Sequence, residues 1–146
     1  PSEKRTGIVH GDYSLTNVMI GKNDPNVIAI LDWELSTLGD PCADFNYHCL
    51  QYTMNPKLAD KAYCKNQGIP VIDDYVKMYS EKINIDVTEE WDLYSAYNLF
   101  KLAGILQGIL GRVRDGTAAH ENAAERASGV RNLSDTAWDL VKKNFL

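Results

Sequence analysis

The chain carries little that would send it to a membrane, to a nucleic acid or out of the cell. No apolar run in its 146 residues approaches the roughly 20 residues that a membrane-spanning helix needs. The opening stretch, Pro1-Ser2-Glu3-Lys4-Arg5-Thr6, has no charged-then-apolar signal pattern. Basic residues are outnumbered, 15 Lys and Arg against 20 Asp and Glu, for a net charge of −5. That balance argues against a phosphate backbone as the main partner, so no nucleic acid and no membrane are expected. Cysteine is sparse and odd in number: Cys42, Cys49 and Cys64 lack any C-x-x-C spacing. A disulfide framework or a zinc site is therefore not expected, and reduced, buried thiols in a cytoplasmic protein are. There is no internal repeat and no low-complexity segment. The remainder is ordinary for a globular protein, 45% hydrophobic and 24% charged, and a single domain over residues 1–146 is expected.

What the chain does have is concentrated between His10 and Glu34. The stretch reads H-G-D-Y-S-L-T-N-V-M-I, then G-K-N-D-P-N, then V-I-A-I-L-D-W-E. Asp12 follows the apolar pair Ile8-Val9. Asn17 opens a second apolar stretch, Val18-Met19-Ile20. Asn23-Asp24-Pro25-Asn26 is a turn cluster. Val27 to Leu31 is fully apolar and predicts a buried strand, with Asp32 where it stops. A β unit over residues 7–34 thus presents two carboxylates and one amide at strand ends. Phosphoryl transfer needs such a set, because there the protein chiefly positions groups and neutralises charge. Asp12 is the candidate to orient a hydroxyl nucleophile and accept its proton. Asn17 and Asp32 offer hard oxygen atoms for the Mg2+ of ATP, an ion that keeps several of its waters.

These residues carry a family resemblance. His10-Gly11-Asp12-x-x-x-x-Asn17 resembles the H-x-D-x-x-x-x-N loop of protein kinases and of the aminoglycoside and choline kinases. Ile30-Leu31-Asp32-Trp33-Glu34 is similar to the metal-site motif of the small-molecule kinases, and Gly39-Asp40-Pro41-x-x-Asp44 to the G-D-P-x-x-D that follows it in aminoglycoside phosphotransferase-like proteins. The wording of residues 27–41 and of Phe100 to Gly108 looks closest to kinase-like domains associated with acyl-CoA dehydrogenases. The resemblance covers nearly the whole chain. It implies an α+β protein-kinase-like C-terminal lobe: the catalytic β unit, then a mostly helical region over 40–146. It further implies that His10 holds the loop and that Asp44 clamps its backbone. Glu34 is a candidate to sit beside the metal's ligands without binding the ion itself, if the strand continues past Asp32. A kinase also needs a glycine-rich loop and a strand lysine over the phosphates. Neither precedes His10 here, so an N-terminal lobe is expected as a missing partner and the isolated chain is expected to be inactive.

Downstream, Asp40 with Pro41 predicts a helix start, the helix running to about Tyr52. Within it Asp44 lies in an apolar surrounding, so it should be mostly buried and should find donors on the backbone around His10, Gly11 and Asp12. Residues 57–70 read as a loop with at most a short helix. A second helix is expected from about Ile72 to Asn84. A third, capped by Thr88, should reach about Arg114 with Trp91, Tyr94, Asn98 and Leu102 on its core face. A fourth should occupy roughly Ala119 to Asn144, broken near Gly129. Gly104, Gly108 and Gly111 share a face and suggest close helix packing. Trp33 reads as core. Tyr47, His48 and Tyr52 read as substrate-lining or as ordinary core and surface residues.

Two function classes follow. One is an ATP-dependent kinase acting on a small-molecule hydroxyl, with a hydroxyacyl thioester implied by the resemblance and an aminoglycoside or choline-like alcohol as the alternative. An acyl-CoA dehydrogenase is the implied protein partner. The other is a non-catalytic pseudokinase-like binding module, which the intact Asp12, Asn17 and Asp32 count against.

Overall fold

The computed structural model of the protein describes residues 5–118 and 122–146. They form two compact units, Pro1–Glu89 and Glu90–Leu146. Among the described residues, no helix is long and apolar enough to cross a membrane.

The first unit opens with two small antiparallel ladders. Strand β1 (Gly7–Val9) pairs with β4 (Thr37–Gly39), setting Ile8 opposite Leu38. Strand β2 (Val18–Ile20) pairs with β3 (Val27–Ile30), setting Val18 opposite Ile30, with an irregularity between Met19 and Ile20. The turn between β2 and β3 is the Asn23–Asn26 cluster, closed by the Gly21 N–H donating to the Asn26 carbonyl at 3.0 Å. Past β3, Trp33–Leu35 forms a 3-10 turn and Thr37 enters β4. One local expectation needs correction. The apolar run of β3 is not buried: Val27 and Ile28 are 55% and 63% exposed, and Trp33 at 45% is not core either.

Helix α1 (Pro41–Met54) starts as its sequence dictates. The Asp40 carboxylate accepts the Cys42 N–H at 2.9 Å and Pro41 occupies the first turn, where its missing N–H costs nothing. Arg5 Nε also donates to Asp40, at 3.1 Å, tying the segment before β1 to the helix start. Cys42, Phe45, Asn46, Cys49 and Leu50 of α1 are buried. The expected loop after α1 contains two short helices, α2 (Pro56–Ala59) and α3 (Lys61–Asn66). Each is nucleated by a capping side chain, Asn55 to the Lys57 N–H and Asp60 to the Ala62 N–H. Helix α4 (Ile72–Ile83) ends at Asn84 in the left-handed region, and its Tyr79 stacks on Phe45 with ring centroids 3.7 Å apart.

The second unit is helical. Helix α5 (Trp91–Arg114) packs along α7 (Val130–Phe145), with α6 (Ala123–Arg126) beside it. Its buried residues are small for the most part: Ala96, Leu99, Ala103, Ala123, Ala127, Leu133 and Ala137, with Asn98 among them. Thr88 does not cap α5, because Asp86 takes both its N–H and its hydroxyl, at 2.8 and 2.6 Å. Of the expected core face Asn98 is buried, while Trp91, Tyr94 and Leu102 are half-buried. Among the described residues, a Cβ at Gly104 or Gly111 would meet open space, and one at Gly108 only the Arg112 side chain at 3.8 Å. The break at Gly129 separates α6 from α7, and the expected helix start at Ala119 lies outside the described residues.

Candidate functional site

The site is built on the segment between β1 and β2. Directly after β1 the chain turns at Gly11, whose φ of +85° only glycine adopts cheaply. A side chain there would also place its Cβ 2.5 Å from the Leu35 carbonyl oxygen, so the 3-10 turn after β3 seats against this point. From α1, Asp44 reaches back to the same point. Its carboxylate accepts the backbone N–H of His10 through Oδ2 and that of Gly11 through Oδ1, the latter at 2.9 Å. Asp44 is half-buried, with most of its surface covered as expected, so the clamp is made at the edge of the core.

His10 is buried and both ring nitrogens are engaged. Nδ1 accepts the Asp12 N–H at 3.2 Å, and Nε2 lies 2.7 Å from the Leu31 carbonyl oxygen. The two contacts fit one tautomer, with the proton on Nε2. The ring therefore ties the segment between β1 and β2 to the end of β3, and neither nitrogen is left to act on a substrate. Trp33 packs against it with centroids 4.8 Å apart, while the Trp33 indole N–H donates to the Ile30 carbonyl at 2.8 Å.

Asn17 closes the segment. Its Nδ2 donates to the Asp12 backbone carbonyl at 2.9 Å and to Asp12 Oδ2 at 3.2 Å. Its own carbonyl accepts the Leu31 N–H at 2.8 Å, extending the β2–β3 ladder by one step. Asp32 is the next residue, so the ladder brings Asp12, Asn17 and Asp32 to one place. Asp32 sits at φ 64°, ψ 59°, a left-handed conformation that Asp tolerates better than most side chains. Among the described residues nothing donates to Asn17 Oδ1 or to the Asp32 carboxylate. Those oxygens are the hard donors that Mg2+ prefers, and the residues present fit that ion. Glu34 is exposed on the 3-10 turn. The strand does not continue past Asp32, so the condition that would set Glu34 on the same side is not met.

Two residues of α1 complete the surroundings. The Tyr47 hydroxyl hydrogen-bonds the Asp12 carboxylate, and burial first, then that charge and hydrogen bond, push its phenol up to about 12. The sequence signal was the spacing: Tyr47 follows Asp44 by three, on the same helix face. His48, at four, packs on Tyr13 with centroids 5.4 Å apart and on Tyr75 at 5.8 Å, and burial lowers its pKa. Further along this face, the Tyr52 hydroxyl donates to the Pro70 carbonyl at 2.9 Å.

Comparisons with known proteins give consistent findings. The model of the phosphotransferase enzyme family matches residues 1–97. A crystal structure of a Ralstonia eutropha protein assigned as an aminoglycoside phosphotransferase superposes with a TM-score of 0.84 at 41% identity, over 94% of this chain and 43% of that one. Its kinase-like fold is the one seen here, small β hairpins followed by helices. Acyl-CoA dehydrogenase family member 10 of Mus musculus is 36% identical over 98% of this chain and 14% of that protein. Acyl-CoA dehydrogenase family member 11 of Homo sapiens is 32% identical over 99% of this chain and 19% of that protein. The chain thus spans less than a fifth of the length of these dehydrogenase-family relatives.

Proposed function

The chain belongs to the phosphotransferase enzyme family, and from that premise we propose that it moves the γ-phosphate of ATP to a small-molecule hydroxyl. Asp12 orients that hydroxyl and takes its proton. Asn17 Oδ1 and Asp32 hold Mg2+, which when bound supplies charge neutralisation at the phosphates. His10 and Asp44 keep the loop in register and do not meet the substrate. One observation carries the reading: a single side chain, Asn17, fixes Asp12 through Nδ2 while its backbone carbonyl binds Leu31, next to Asp32. The group that handles the acceptor and the group that handles the metal are therefore set by one element.

Because the chain spans 43% of its solved relative, the glycine-rich loop and lysine that grip the nucleotide belong to sequence beyond these residues. On this reading the 146 residues by themselves give no useful turnover, and the full-length protein gives a rate in the usual kinase range, roughly 1–100 per second. The dehydrogenase-family relatives favour a hydroxyacyl thioester as acceptor, with an acyl-CoA dehydrogenase as the neighbouring domain or partner. The aminoglycoside assignment of the solved relative favours a second acceptor, an aminoglycoside alcohol. Offering both to the full-length protein separates them.

The test of mechanism is a pair of variants in the full-length protein. Asp12→Asn is expected to lower transfer by about 10²–10⁴-fold, the span of general acid–base contributions, with nucleotide affinity kept. Asp32→Asn is expected to weaken magnesium-dependent nucleotide binding instead. Equal loss of nucleotide binding in both, with transfer intact at saturation, would refute the roles.

A further inference from the structure

The face of α1 that meets the segment between β1 and β2 is continuous, and only part of it is explained by the clamp. Asp44 holds His10 and Gly11, and His48 packs on Tyr13. Between them in register, Tyr47 meets Asp12. Three neighbouring positions of one helix thus contact four consecutive residues in the same order, as helical spacing requires of residues three and four apart. The clamp and the ring contact explain how the backbone is held. Neither explains why the middle position carries a phenol with its hydroxyl on Asp12.

We propose that Tyr47 is a positioning residue for phosphoryl transfer: its hydroxyl donates to the Asp12 carboxylate and, jointly with Asn17 Nδ2, fixes the orientation in which that carboxylate receives the acceptor hydroxyl. The inference rests on the phosphotransferase reading and adds a residue to it. A carboxylate offers about four lone-pair positions. Asn17 takes one at 3.2 Å and Tyr47 another, which leaves about two, of which the acceptor hydroxyl needs one. An aspartate with neither partner would rotate about its last torsion, which has only a broad preference. Orientation matters more than basicity here, because in a loose transition state the incoming oxygen is weakly bonded and its proton departs late. The ring of Tyr47 is half-buried, so the hydroxyl arrives on a body already held by the helix, and its fixation costs little side-chain entropy.

Three proteins decide the matter: Tyr47→Phe, which removes one oxygen and keeps the ring, Asp12→Ala, and the double variant. The first readout needs no turnover. In thermal unfolding of the 146-residue chain, Tyr47→Phe is expected to lower the melting temperature by a few degrees. The same change on the Asp12→Ala background is expected to lower it no further, since groups that act as a pair are not additive. A lowering of equal size on both backgrounds, or none on either, overturns the contact. The second readout is ATP turnover by the full-length protein with Mg-ATP, water standing in as acceptor and rates counted per folded molecule. Tyr47→Phe is expected to lower kcat about tenfold, the worth of one hydrogen bond to a charged group, with the KM for ATP unchanged. A merely structural tyrosine would lower the folded fraction and leave kcat per folded molecule alone. If Asp12→Ala stops turnover while Tyr47→Phe runs at the wild-type rate, the positioning role falls and the phosphotransferase reading stands. If Asp12→Ala keeps the wild-type turnover, that reading falls, and the unfolding cycle still decides whether Tyr47 and Asp12 are a pair.

Discussion

In the first unit, a segment with almost no regular structure is held by side chains that reach backbone atoms. Asp44 binds two N–H groups, His10 bridges Asp12 to Leu31, and Asn17 binds the Asp12 carbonyl. In the second unit the backbone satisfies itself within helices, and the packing is made by alanines and two leucines. Its ion pairs, such as Arg131 with Asp135 at 3.7 Å and Lys142 with Asp139 at 2.7 Å, are exposed and worth little. The difference locates function. A segment that must hold several polar groups at fixed angles cannot be a helix or a ladder throughout, so its geometry is supplied by long-range hydrogen bonds. Helices packed through small side chains need fewer such bonds, although Asn98 is buried among them.

The comparison is broken most directly at Asp44. Asp44→Ala strands two N–H donors and is expected to cost about 1.5–3 kcal/mol, the range for hydrogen bonds to a charged group. Urea unfolding measures it. Hydrogen exchange sharpens it, since the amides of His10 and Gly11 should lose protection while those of Leu99 and Leu133 keep theirs. Loss of protection spread evenly over both units would mean that the clamp is not local.

A smaller effect of opposite sign is expected in the second unit. Gly104→Ala enters open space in the interior of α5, so it should gain about 0.5–1 kcal/mol from helix propensity alone. A loss in urea unfolding would restore the close-packing role first expected of the glycine stripe.

The smallest effect is a difference in pH response. Burial depresses the pKa of His48 below its ordinary 6.5, while the unfolded chain keeps the ordinary value. Below that value the unfolded state takes up the proton more readily, so stability is complete above it and falls as pH drops from 6.5 toward the folded value. Replacing the imidazole, as in His48→Gln, should flatten that part of the stability profile. The neighbouring Tyr75, its phenol pushed up to about 12 by burial, does not titrate in that range. An unchanged slope in the variant would assign the pH response elsewhere.

Much of the site was legible because its signals are local. Asp12 and Asn17 lie five apart, the Asn23–Asn26 cluster is turn chemistry, and Asp40-Pro41 is a helix start. What was missed depends on distance in sequence. Thr37–Gly39 is too short to look like a strand, and it becomes one only by pairing with Gly7–Val9, some thirty positions away. The apolar run at Val27 and Ile28 reads as buried, yet both are exposed, because hydropathy alone does not place another element over a strand. Thr88 has the composition of a cap, but its hydroxyl is turned to the Asp86 carboxylate at 2.6 Å. Gly104, Gly108 and Gly111 show a shared face without showing a partner. Tyr47 could have been found from its offset to Asp44, but only once the loop was known to lie on that helix.

The left-handed backbone at Asp32 sets how this position can change by mutation. Its φ of 64° is tolerated by Asp, Asn and Gly and by few others. Glu keeps the charge but fits that backbone less well and sets its carboxylate a methylene further out. Asn and Gly keep the backbone and lose the charge. On the proposed role, the two requirements meet in one residue type, and the usual acidic exchange is not conservative here. Drift at this position therefore runs toward a folded protein that no longer holds metal, which is how a silent copy of such a domain would arise without any loss of structure.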